Sequence, residues 1–141
     1  MLKIKVFDSS DAALHGEALK IRMKVFVEGQ HVDPALEVEH EAACKHYLLY
    51  LDERPVGTAR WRKTEKGIKL ERFAMLKQYR NKGYGRVLLE KVMEDVLPLK
   101  QKIYLHSQLK AVSYYQRQGF VKQGDIFQEA GIDHYLMVRE P

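Results

Sequence analysis

Arg80-Asn81-Lys82-Gly83-Tyr84-Gly85 is the stretch on which the fold turns. An apolar run, Leu70-Glu71-Arg72-Phe73-Ala74-Met75-Leu76, leads into it, and a helical pattern from Arg86 to Leu97 follows. A strand therefore runs into a glycine-bearing turn, and the turn into a helix. Such a junction gathers unpaired backbone N–H groups at the positive end of a helix dipole, where anions bind. The loop is not a P-loop, because no Gly-Lys-Ser/Thr ending supplies a lysine for a γ-phosphate or a hydroxyl for magnesium. It is not a dinucleotide fingerprint either: Leu88 stands where the third glycine would be, and no first βαβ unit opens the chain.

Downstream, Leu88, Leu89, Val92, Met93, Val96 and Leu97 make one wide apolar helix face, and Pro98 stops the helix. Lys102 to Gln108 alternates as a strand, with Ile103, Leu105 and Ser107 on one face. Strand, helix and strand form a crossover, so this strand should run parallel to Ile68–Leu76. A short helix, Lys110 to Gln118, ends at Gly119. Phe120–Lys122 and His134–Arg139 read as the last strands, joined by a loop containing Gly124 and Gly131.

Upstream, Leu2 to Phe7 alternates at period two, with Leu2, Ile4 and Val6 expected inward. Capping residues at Asp8–Asp11 precede an amphipathic helix from Ala12 to about Phe26. The segment from His31 to Lys45 carries Asp33, Glu37, Glu39, Glu41, His31 and His40. It reads as a solvated, substrate-facing loop with a short helix from Pro34; a metal site from His40 and the carboxylates lacks any established spacing. His46–Leu51, Val56–Lys63 and Ile68–Leu76 then form an antiparallel meander, with Gly57 marking a bulge or a close backbone approach.

The bulk numbers fit one domain spanning 1–141: 141 residues, 45% hydrophobic and 30% charged. No apolar run approaches the roughly 20 residues of a membrane span, and the N-terminus is not a signal peptide. Cys44 stands alone, which excludes an intrachain disulfide, fits a reducing cytoplasm and suggests a buried, inert thiol. The net charge of +5 comes from basic residues spread along the chain. With no nucleic-acid signature beside them, they favour a small polyphosphate ligand or plain solubility over nucleic acid.

Arg80-x-x-Gly83-x-Gly85 resembles the Q/R-x-x-G-x-G/A signature of the GNAT superfamily of acetyl-CoA-dependent N-acetyltransferases. Ala111-Val112-Ser113-Tyr114-Tyr115-Gln116-Arg117-Gln118-Gly119-Phe120 is similar to the family's A-x-x-F-Y-x-x-x-G-F element. The order of elements resembles the GNAT fold from end to end. Val25-Phe26-Val27-Glu28-x-Gln30 and Phe127-Gln128-Glu129-Ala130-Gly131-Ile132-x-His134 resemble the small ElaA-like branch. The resemblance implies an α/β (α+β) GNAT fold, with a mostly antiparallel mixed sheet, a splayed parallel strand pair and flanking helices.

It also implies roles. Acetyl-CoA is the co-substrate, its pyrophosphate held at Arg80, Asn81, Lys82, Gly83, Tyr84, Gly85 and Arg86. The pantetheine arm lies along the backbone of Phe73, Ala74 and Met75, where an amide N–H can polarise the thioester carbonyl. Gln108 stands where relatives have a cofactor-contacting asparagine. Tyr115 contacts the cofactor and is the general acid that protonates the leaving thiolate; Tyr114 is its packing partner. Among bases, Glu71 comes first, then His106 and His134, or water; Glu39 could instead bind a cationic acceptor. The expected reaction is direct attack by a primary amine in a ternary complex, with no metal. The acceptor is a small amine, a protein lysine or an N-terminus, and the protein a cytoplasmic monomer or homodimer. A catalytically weak CoA-binding regulatory module is the alternative.

Overall fold

The computed structural model describes residues 1–141, in which seven apolar or alternating runs pair into one sheet. The strands are β1 (Leu2–Phe7), β2 (Lys45–Leu51), β3 (Arg54–Thr64), β4 (Gly67–Met75), β5 (Ile103–Gln108), β6 (Val121–Glu129) and β7 (Ile132–Arg139). Their spatial order is β1-β2-β3-β4-β5-β7-β6. Every neighbouring pair is antiparallel except β4 and β5. The helices are α1 (Ala12–Arg22), α2 (Pro34–Glu37), α3 (Tyr84–Val96) and α4 (Val112–Arg117). None is long and apolar enough to cross a membrane.

The two faces of the sheet bury separate clusters. On one, Leu88, Leu89, Val92 and Val96 of α3 meet Tyr47, Leu49, Ile68, Leu70, Ile103 and Leu105. On the other, Ala18 and Ile21 of α1 meet Phe7, Leu48, Tyr50 and Ala74. Each fully buried aliphatic side chain contributes about 1.5–3 kcal/mol, so α3 is held by its apolar face rather than by its termini.

The crossover β4–α3–β5 creates the feature that matters most. Parallel pairing covers only Ile68↔Ile103, Lys69↔Tyr104 and Leu70↔Leu105. Past that point β4 carries an extra residue against β3, with the register shifting between Thr58 and Arg60 and Arg72 at φ 56°. A bulge of this kind bends its strand. β4 stays paired to β3 as far as Ala74 and Met75 but leaves β5, and a cleft opens between them.

Several elements differ from the sequence expectation. The first α-helix ends at Arg22, and a π-helical turn, Met23–Glu28, follows, closed by Gly29 N–H donating to Lys24 O at 2.9 Å. Apolar periodicity does not distinguish α from π winding over six residues. Val6 is exposed, and Phe7 is the buried end of β1. The loop expected between the last two strands is mostly strand: β6 runs to Glu129 through a register shift between Gln123 and Phe127. A two-residue turn, Ala130-Gly131, joins it to β7, both residues having positive φ as such hairpins require.

The segment expected as a solvated acidic loop is corrected more deeply. Its helix does start at Pro34, capped by Asp33, but Glu37 is buried and Glu41 nearly so. The reason is long-range: arginines from α1, β3 and β4 converge on them.

Candidate active site

The splay of β4 from β5 opens into a cavity of about 360 Å³. Phe73, Ala74 and Met75 form one wall and His106, Ser107 and Gln108 the facing one. The π-helical turn contributes Val25 and Phe26, which a regular α-helix would aim elsewhere. Because β4 has left β5, the β5-facing backbone groups of Phe73–Met75 have no strand partner across the cleft. They can accept an extended, amide-bearing ligand as an added strand.

At one end stands the glycine loop, joined to the cavity through Arg80. Arg80 Nε donates to Met75 O at 2.9 Å, which ties the loop to the end of β4. Gly83 caps α3 at φ 82°, a left-handed conformation that favours glycine, and open space surrounds the position of a Cβ there. No side chain caps α3, so its first N–H groups face the loop unpaired. Gly85 has room for a Cβ, 3.8 Å from Met75, so nothing in the protein itself requires a glycine there. Lys82 and Arg86 are exposed, and Arg86 pairs with Glu90 at 2.9 Å. Together these features suit an anion at the start of α3.

Tyr115 lines the cavity. Its ring meets Tyr114 edge-on at 5.2 Å and Phe120 at 5.9 Å, and burial pushes its phenol above the usual tyrosine range. The group is therefore a proton donor at any physiological pH. Tyr114 packs into the core, as expected of the neighbouring aromatic slot. Gln108 behaves differently from the expectation. Its amide and that of Gln30 exchange two hydrogen bonds, at 2.9 and 3.3 Å, so its polar atoms are already engaged across the cavity.

Glu71 lies in the cavity wall but is ringed by cations: Arg62 at 2.9 Å, Arg60 at 3.3 Å and Lys69 at 3.3 Å. Burial alone would raise its pKa, but Arg60, Lys69 and Arg62 outweigh it and hold the carboxyl below the ordinary value. Such a carboxylate is a weak base. Beside it, Glu37 is paired with Arg22 at 2.5 Å and Arg72 at 2.9 Å, and Glu41 with Arg60 at 2.6 Å and with Arg22. These three carboxylates are thus neutralised from within. Glu39, half-exposed, and Glu129 also line the cavity.

Glu129 is the residue that sequence reading missed. Its carboxylate lies 3.2 Å from His106 Nδ1 and 3.9 Å from His134 Nε2. The signal was present as alternation: across the Ala130-Gly131 turn, Glu129 pairs with Ile132 and Phe127 with His134, which places Glu129 and His134 on one face.

The donor atoms of His15, Glu41 and His46 lie within 4.8 Å of one another, whereas His40 is exposed and only 3.8 Å from Glu39. Two guanidiniums already occupy Glu41, and His46 Nε2 lies 3.0 Å from Glu41 O. That donor set does not suit a dication. Cys44 is buried, its Sγ donating to His40 O at 3.1 Å, and burial pushes the thiol pKa up.

Comparison with known proteins agrees with this geometry. A family model described as an acetyltransferase (GNAT) domain matches residues 9–141. The chain is 40% identical over 139 residues to the uncharacterized protein YyaT of Bacillus subtilis (strain 168), covering 94% of this chain and 92% of that protein. It is 34% identical over 129 residues to the uncharacterized N-acetyltransferase YjcF of the same organism, covering 88% and 91%. Among solved structures, Escherichia coli ElaA superposes with a TM-score of 0.89 over 99% of this chain and 100% of that one, at 23% identity. The uncapped glycine loop, the splayed strand pair and these likenesses together place the chain in the GNAT acetyltransferase family.

Proposed function

We propose that the protein is an N-acetyltransferase that moves an acetyl group from acetyl-CoA to a primary amine by direct attack within one cavity. The observation that carries this reading is the cleft itself: a single cavity is lined by Arg80 at the glycine loop, by the part of β4 that has left β5, and by Tyr115. The residues present suit acetyl-CoA. Backbone N–H groups from Asn81 to Arg86 would take the pyrophosphate at the uncapped start of α3, with Arg80, Lys82 and Arg86 supplying positive charge. Tyr84 packs against the core. Phe73, Ala74 and Met75 would hold the pantetheine arm through their backbone, one N–H polarising the acyl carbonyl. Bound there, acetyl-CoA supplies a thioester whose acyl carbon accepts the amine.

Tyr115 donates the proton that the departing sulfur requires, its buried phenol being held protonated. Gln108 acts less as a cofactor contact than as half of the amide pair with Gln30 that spans the cavity. The acceptor enters from the side of Glu39 and Glu129, the cavity carboxylates outside the arginine network. This supports an amine that arrives as a cation, whether a small molecule or an exposed protein lysine or N-terminus. A screen of amines with acetyl-CoA, read by release of free thiol, tests the reading. Thiol release that depends on the amine is expected. Acetyl-CoA binding with no thiol release for any amine would leave a CoA-binding module without catalysis.

A further inference from the structure

We infer that His106 is the general base of this site and that Glu129 is its positioning residue, an assignment that rests on the acetyl-transfer reading above. Glu71 is occupied by three cations, and His134 is buried with both ring nitrogens near acceptors: its side chain is only 9% exposed, its Nδ1 lies 2.7 Å from Ile132 O and its Nε2 lies 3.9 Å from the Glu129 carboxylate. His106 differs. It lines the cavity on β5, opposite the bulged part of β4, and is about one-quarter exposed, its side-chain relative accessibility being 26%. Glu129 meets its Nδ1 at 3.2 and 3.4 Å, and Phe127 packs edge-on against the ring at 5.0 Å.

An anionic carboxylate accepts the Nδ1–H, so the neutral imidazole carries its lone pair on Nε2. Glu129 is anionic across the working range: the His106 hydrogen bond outweighs burial and, with His134 and Lys69, holds its carboxyl at about 2. Glu129 of β6 meets His106 directly, His134 of β7 lies 3.9 Å from that carboxylate, and Lys69 and Glu71 of β4 line the same cavity. An ammonium acceptor first loses one proton to solvent through Nε2. The nitrogen lone pair then forms the C–N bond, and the C–S pair leaves on sulfur. A second nitrogen proton passes to His106 Nε2 while the sulfur takes the Tyr115 hydroxyl proton. The imidazolium proton restores the phenol through solvent, so the transfer releases one proton in all.

Two measurements test this. Long-range ¹H–¹⁵N NMR of the wild-type protein at alkaline pH should show His106 as the Nδ1–H tautomer, and E129Q should shift it toward Nε2–H. In kinetics, H106Q should lower kcat about 100-fold, with the KM for acetyl-CoA and the acetyl-CoA thermal shift retained. E129Q should lower kcat in the same pattern, and E129D should recover part of it. An Nε2–H tautomer in the wild type, or H106Q turning over like wild type, overturns the assignment. If H106Q does not fold, unchanged kcat in E129Q overturns it equally. A wild type that releases no thiol with any amine defeats the acetyl-transfer reading itself, whereas wild-type turnover with an indifferent H106Q defeats only the base.

Discussion

Tyr115 and Gly83 show how much rests on single atoms. Tyr115→Phe keeps the ring that meets Tyr114 and Phe120 but removes the O–H. Steady-state kinetics should show kcat falling about 100-fold, with acetyl-CoA affinity by calorimetry unchanged. At Gly83 the constraint is conformational. Open space surrounds the missing Cβ, yet φ is 82°, so Gly83→Ala should cost about 1–2 kcal/mol in denaturant unfolding through strain alone. The same substitution disturbs the turn that presents the α3 N–H groups, so acetyl-CoA affinity should fall with it. The turn at Gly83 was legible from chemistry local to the chain, whereas Tyr115 was expected from the resemblance of Ala111–Phe120 to a family motif. The setting of Glu71 was not legible. Its candidacy as base came from its place on a strand, while its weakness as a base comes from Arg60, Arg62 and Lys69 around it.

Between elements, the decisive device is the charge network that fastens α1 and α2 to β3 and β4. Glu41 holds it together, accepting from Arg22 and Arg60 and lying 2.5 Å from His15 Nε2. Burial would raise the Glu41 pKa, but Arg22, His15 and Arg60 bring it down from 4.5 to about 2. A carboxylate depressed on folding stabilises the fold above its unfolded pKa and loses that contribution as pH falls toward the folded one. The melting temperature of the wild type should therefore drop between about pH 4.5 and pH 2 from this group. His46, whose pKa burial lowers, adds a loss that begins higher, as pH falls below the imidazole value of 6.5. Glu41→Gln should be less stable at neutral pH and should flatten the acid limb of the melting curve. The acidic character of residues 33–41 was visible in the sequence, but its partners were not, since they lie on strands and a helix far along the chain. The solvated, substrate-facing setting expected for Glu37 and Glu41 gives way to an architectural role.

For the whole molecule, the cavity exists because a three-pair parallel contact ends at Leu70 and Leu105 and a bulge at Arg72 carries β4 away. A ligand that bridges the glycine loop and the β4 backbone would tie both sides of that opening to the native state. Acetyl-CoA at about 100 times its Kd should raise the melting temperature by about 10 °C, and NAD should not. Local patterning alone determined the antiparallel meander, the crossover into β5 and the uncapped glycine loop, while Tyr115 was singled out by its likeness to a family motif. The first three depend on periodicity and turn chemistry within a few residues. Tertiary structure alone decided the π-helical turn at Met23–Glu28, the extension of β6 to Glu129, the neutralisation of Glu37, Glu41 and Glu71, and the meeting of Glu129 with His106. The charge pairings are fixed by side chains from separate strands and helices, and the energy of a charge depends on what folding brings beside it.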